Sequence, residues 1–162
     1  MSKHVAFEVS AWSAAPPQAV YDLLRDGATW PRWSPIGSFR LEREGGAGGG
    51  GGGAGGESVG AIRVFKTSFV TSREELVLLE PGRAFSYTSL SGMPIRSHRA
   101  DVKLTERDGG TAITWREDFV VKWFASAWFT GRALRGFVQR CADGLAAHAA
   151  GVTGPVSYPA RP

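Results

Sequence analysis

Residues 125–150, ASAWFTGRALRGFVQRCADGLAAHAA, carry the only sustained helical periodicity in the chain. At about 100° per residue, Ala127, Leu134, Phe137, Val138, Cys141, Ala142, Leu145 and Ala149 share one arc, and Arg132, Arg135, Gln139, Arg140 and Asp143 share the opposite one. The middle of the chain alternates as strands do, so the apolar stripe of this one long helix must lie against a sheet. Gly131, Gly136 and Gly144 each cost about 1 kcal/mol against alanine in a helix interior. They permit a close approach to the sheet, a bend, or a gap left for a ligand.

The strands are read from alternation and turn chemistry. Residues 4–12, HVAFEVSAW, place Val5, Phe7, Val9 and Ala11 on one face. Pro16 and Pro17 suit a first helical turn, Val20, Leu23 and Leu24 repeat at helical spacing, and Gly27 ends the segment. Pro31 and Pro35 allow the segment holding Trp30 and Trp33 at most one more turn. A second strand is expected over 36–44, followed by Gly45 to Gly56, which contains only glycine and alanine. This tract lacks the lysine and hydroxyl of a phosphate-binding loop. It is expected to be a flexible hairpin connection with an end-to-end distance of about 20 Å. Five further strands are expected over 57–66, 68–80, 83–90, 95–106 and 111–123. Pro81-Gly82, Ser91-Gly92-Met93-Pro94 and Asp108-Gly109-Gly110 supply turns between them, so consecutive strands are antiparallel.

Bulk properties narrow the function classes. A chain of 162 residues fits one domain. No apolar run approaches the roughly 20 residues that span a bilayer, and MSKHVAFEVSAW enters alternation without a signal-peptide core. A soluble, cytoplasmic protein without integral membrane association is therefore expected. The charge balance is basic, 19 Lys+Arg against 15 Asp+Glu, but the charges interleave instead of clustering as in a nucleic-acid binder. No nucleic-acid partner is expected. The single Cys141 lies on the apolar arc and receives no chemical role. His4, His98 and His148 have no metal-ligand spacing, so neither a metal nor a cofactor is expected.

The element order and several motifs resemble the START/Bet v 1-like helix-grip superfamily, and most closely its bacterial polyketide cyclase/dehydrase-like branch. The matching stretches are VAFEVSAWSAAPPQAVYDLL (5–24), WPRWSP (30–35), VGAIR (59–63), REELVLLEPGRAFSY (73–87) and GGTAITW (109–115). The resemblance covers residues 4–150. It implies an α+β helix-grip fold: a seven-stranded curled antiparallel sheet around a long C-terminal helix, with two short helices after the first strand. One domain would span 1–150 and a loose tail 151–162. The superfamily includes cyclases, lipid and sterol carriers, quinone binders and hormone receptors, so the fold alone does not choose among them. Its glycine-containing loop between the second and third strands stands at the cavity mouth, and the tract here is much longer and simpler.

A helix gripped by a curled sheet leaves a cavity as the default ligand site. Strand parity places Ile113, Trp115, Glu117, Phe119 and Val121 inward on the last strand. It groups His98 with Ala100, Val102 and Leu104, Arg63 with Val59, Ala61 and Phe65, and Tyr87 with Phe85. With Trp30, Trp33 and Phe137 these residues form the expected binding site for a hydrophobic small molecule such as a lipid, polyketide or quinone-like compound. Glu117 and Arg63 are either an ion pair of the scaffold or the polar end of the cavity. The alternatives are a polyketide aromatase/cyclase or dehydratase using His98 or Glu117 as the proton-moving group, and a protein-interaction module.

Overall fold

The computed structural model describes residues 2–46, 57–122 and 127–151, with the side chains of 127–129 outside the description. Most of the glycine tract, the C-terminal tail beyond Gly151 and the Trp128 side chain thus lie outside the described residues. The chain runs β1 (Lys3–Ser13), α1 (Pro17–Arg25), a 3-10 turn (Gly27–Thr29), α2 (Trp30–Trp33), β2 (Ser38–Arg43) and β3 (Ile62–Thr67). It continues through β4 (Val70–Glu80), β5 (Ala84–Ser91), β6 (Ile95–Arg107), β7 (Gly110–Val121) and α3 (Ala127–Ala149).

All strand pairs are antiparallel, in the order β1-β7-β6-β5-β4-β3-β2. The curled sheet closes over α3, whose Val138, Cys141, Ala142, Leu145 and Ala146 are buried against it. Gln139 Nε2 donates to Ser10 O at 3.0 Å and Ser13 Oγ to Ala146 O at 2.7 Å, fixing the helix along β1. Gly131 sits close to the sheet, where an added Cβ would lie 3.3 Å from Val5 Cγ1, whereas Gly136 faces open space.

The turns follow their residues. Asp108 and Gly109, at φ 53° and 75°, make the two-residue connection between Arg107 and Gly110 that matches strand twist. Gly82, at φ 68°, follows Pro81, and Arg83 N–H closes the turn on Glu80 O at 2.9 Å.

Three local expectations are corrected. β3 starts at Ile62, because Gly60 turns at φ 91°. Val59 therefore precedes the strand and is exposed instead of facing inward with Ala61. Ser68 and Phe69 form the β3–β4 turn between Thr67 and Val70, with Ser68 at φ 50°, where alternation alone continues the strand. β2 spans Ser38–Arg43, because Gly37 belongs to the approach and bonds through its N–H to Lys66 O.

The corner formed by α1, the 3-10 turn and α2 fills one end of the grip. Trp30 Nε1 donates to Leu24 O and Trp33 Nε1 to Thr29 Oγ1, both at 3.0 Å. Trp30 stacks on Phe65 at 5.1 Å and meets Trp115 edge-on at 5.8 Å. At Gly27 a Cβ would lie 2.2 Å from the Phe39 ring, so only glycine lets this corner approach β2. The space under the corner is filled by side chains.

Candidate functional site

The gap between helix and sheet survives at the other end. A cavity of about 240 Å³ is walled by Ile36, Val70, Met93, Leu134, Phe137 and Val138, and its polar residues include Glu74, Tyr87, His98 and Glu117. A larger groove, about 600 Å³, runs past Leu78, Ser86, Asp101 and Lys103 and contains none of this buried polar cluster.

Strand geometry assembles the cluster. Tyr87 and Glu117 face inward by alternation along β5 and β7. His98 needs a further device: a register shift between Arg96 and Arg99, with Ser97 at φ 47°, lets Ile95 and His98 both turn toward the interior although they stand three residues apart. Bulges re-aim side chains in this way. The β5–β6 pairing register runs to Tyr87 opposite Ala100, and beyond it the imidazole takes a ladder position, with Ser89 N–H donating to His98 Nδ1 at 2.9 Å.

That bond fixes the chemistry of the ring. Because Nδ1 accepts, the proton of the neutral imidazole sits on Nε2, which donates to Glu117 Oε2 at 2.6 Å. Glu117 Oε1 accepts from Trp115 Nε1 at 3.1 Å and from the Tyr87 hydroxyl at 3.3 Å. The buried carboxylate thus receives donors from three side chains, the compensation that burial of such a group demands. Burial, with the charges of Glu117 and Glu74, holds the Tyr87 pKa well above its ordinary value, so the phenol remains a donor.

Glu74 is the one carboxyl on the wall without such partners. It is half-buried, and among the described residues no hydrogen bond or ion pair engages it. Burial pushes its pKa up to about 7, with His98 and Arg63 opposing the rise and Glu117 adding to it.

The sequence-derived residues divide between cavity and core. Tyr87, His98, Glu117 and Phe137 line the cavity. Trp30, Trp33, Phe65 and Trp115 belong to the main packed core, and Phe119 packs edge-on against Phe7 at 6.3 Å in a smaller cluster.

The Arg63–Glu117 pairing is corrected. Arg63 pairs with Glu57 and donates to the carbonyls of Leu24, at 2.9 Å, and Arg25, with Phe85 below its guanidinium at 5.2 Å. It binds the C-terminal end of α1 to β3 and lies off the cavity wall. Glu57 in turn accepts from Gly27 N–H at 2.9 Å.

Glu74 escaped the sequence reading, although it shares strand parity with the buried Leu76 two residues on. Among the described residues no group of three or more His, Cys, Asp and Glu is arranged to hold a metal ion. Among them too, no helix is long and apolar enough to cross a membrane.

A long C-terminal helix held by a seven-stranded antiparallel sheet, with a cavity between them, defines a helix-grip domain of the START/Bet v 1 type. The chain belongs to the polyketide cyclase / dehydrase and lipid transport family, whose model matches residues 4–150. This is a family of hydrophobic-ligand-binding domains. Its fold is similar to that of a START superfamily protein from Mycobacterium smegmatis at 11% identity and a TM-score of 0.73, covering 93% of this chain and 100% of that one. It is also similar to Ara h 8.0201 at 17% identity and a TM-score of 0.70, covering 91% and 98%. The protein XoxI from Bacillus cereus matches at 17% identity and a TM-score of 0.66, covering 90% and 94%. Comparison with curated protein sequences finds no match.

Proposed function

We propose that this protein binds a small, mainly apolar molecule with one polar end in the cavity between α3 and the sheet. The observation that carries this reading is the composition of the wall: apolar side chains on the helix side and a compact polar cluster on the sheet side. Such an arrangement takes an apolar body by desolvation and orients it by a few fixed polar contacts.

Size restricts the ligand. At about 240 Å³ the cavity lies below the roughly 300–1,000 Å³ of drug-sized sites. This favours a substituted single ring or fused pair of rings over an entire sterol or long polyketide chain.

The hydrogen bonds argue against His98 as the proton-moving group. Both imidazole nitrogens of His98 are engaged, one by the Ser89 amide and one by Glu117. A general base needs a free acceptor within reach of the substrate proton.

Fluorescence titration with prodan, a neutral naphthalene probe, tests the reading, together with native mass spectrometry of the purified protein. The expected result is saturable, blue-shifted binding that Leu134→Trp, placed at the cavity wall, weakens at least tenfold while circular dichroism is retained. An empty protein that takes up no probe, or a Leu134→Trp variant that binds as the parent does, overturns it.

A further inference from the structure

The hydrogen-bond inventory of the cavity limits what the ligand's polar end can be. Three donors that meet there, His98 Nε2, Trp115 Nε1 and the Tyr87 hydroxyl, are all directed to the Glu117 carboxylate. His98 Nδ1 has its proton donor in the backbone of Ser89. An incoming carbonyl or carboxylate, which can only accept, finds these three donors engaged and meets, on the described wall, only the Thr67 and Ser72 hydroxyls, which accept as readily as they donate. The acceptors are in surplus: among the described residues Glu74 has no hydrogen-bond or ion-pair partner, and Glu117 and the Tyr87 oxygen retain accepting capacity.

Charge points the same way. The described cavity wall carries the carboxyls of Glu74 and Glu117 and contains no lysine or arginine. Arg63 stands opposite Glu74 in the β3–β4 register, but its guanidinium is committed to Glu57 and the end of α1. A bound carboxylate would face like charge in a desolvated site, whereas a cation would be attracted by Glu117 and by ionised Glu74.

We propose that the cavity selects ligands with a protonated amine on a small apolar body, such as an arylalkylammonium, paired with Glu74. This rests on the binding reading above and specifies its head group. The pairing depends on pH through Glu74, whose environment comprises Glu117 on β7, His98 on β6, Tyr87 on β5, Arg63 on β3 and the buried thiol of Cys141 on α3, which burial keeps protonated. Amine binding strengthens as that carboxyl loses its proton, around pH 7.

The test uses three molecules with one carbon skeleton: 4-phenylbutylamine, 4-phenylbutan-1-ol and 4-phenylbutyrate, titrated calorimetrically at pH 8 and pH 5.5 and as competitors of prodan. At pH 8 the amine is expected to bind at least tenfold more tightly than the carboxylate, with the alcohol between them. Lowering the pH to 5.5 should weaken the amine by about tenfold or more while the alcohol changes little. Glu74→Gln should bring amine and alcohol within about threefold of each other and remove the pH dependence.

Equal binding of all three, a preference for the carboxylate, or an amine preference that survives Glu74→Gln overturns the head-group inference and leaves the binding reading standing. Uptake of prodan without binding of any of the three has the same consequence. Failure of prodan and all three to bind overturns both.

Discussion

Two carboxyls on one cavity wall are in opposite situations, and each gives a measurable consequence. Glu117 is matched by three donors whose orientation is fixed from outside, since the Ser89 amide blocks the alternative tautomer of His98. Glu117→Gln replaces one accepting oxygen with an NH₂ group that must face a donor, either His98 Nε2–H or the Trp115 indole. The expected cost is about 1–3 kcal/mol with the fold retained, measured by urea denaturation. A neutral result would mean that the His98 ring turns freely. Glu74 is the reverse case. Its folded pKa stands at about 7 against an ordinary 4.5, so folding takes up a proton between those values and stability falls as pH rises through that window. Glu74→Gln removes the titration. The variant should be more stable than the parent at pH 8, by at most roughly 3 kcal/mol, and the advantage should shrink toward pH 4.5. A difference that is flat across this range would show that the carboxyl is solvated.

At the scale of elements, the first helix is attached to the sheet by one buried cation. Arg63 takes the carbonyls of Leu24 and Arg25, which α1 leaves open at its end, and neutralises Glu57, whose pKa burial raises and Arg63 partly restores. Arg63→Met leaves Glu57 buried without its counter-charge and should cost about 3–5 kcal/mol, with Glu57→Gln in the same chain restoring part of it. Equal losses for the single and double variants would show that the helix-end carbonyls, and not the ion pair, dominate. The long helix offers the opposite opportunity. Gly136 faces open space in the interior of α3, so Gly136→Ala should raise stability by about 0.5–1 kcal/mol in the same urea assay. A loss would mean that the helix needs its flexibility there.

For the molecule as a whole, what was legible in the sequence follows from what is local. Turn residues and alternation specify seven antiparallel strands, and the helical arc of Leu134, Phe137 and Val138 specifies which side of α3 faces the cavity. The inward parity of Tyr87, His98 and Glu117 was legible for the same reason. Which inward residues border empty space was not, because that depends on how far a neighbouring element reaches. Trp30 and Trp33 fill the end that the α1–α2 corner covers, and the loop at Gly92–Pro94 caps the end it does not. Pairing was equally hidden: Arg63 and Glu117 share the buried interior but find Glu57 and His98. β4 shows register shifts beside Glu74 and again after Leu76, so its alternation was the least secure guide to a wall residue.

The same placement decides what the glycine tract can do. Its described flanks come together where Gly46 N–H bonds to Val59 O at 3.2 Å, next to the start of β3 at Ile62. The cavity gathers around Thr67, Val70 and Ser72 at the other end of that hairpin, about 17 Å further along the strand, and none of residues 44–46 or 57–61 lines it. The described flanks of the tract therefore lie away from this cavity, whereas the family resemblance implied a loop at its mouth. Residues 47–56, which lie outside the described structure, consist only of glycine and alanine, and replacing them with Asn-Gly shortens the loop between Gly46 and Val59 from twelve residues to about four. Closure entropy changes by about 0.6 kcal/mol per doubling of loop length, so the shortened chain should gain about 1 kcal/mol. The urea m-value should not change, since the packed surface is the same. Prodan affinity should remain within about twofold of the parent. A loss of several kcal/mol, or a tenfold loss of probe binding, would show that the tract packs on the domain or reaches the cavity.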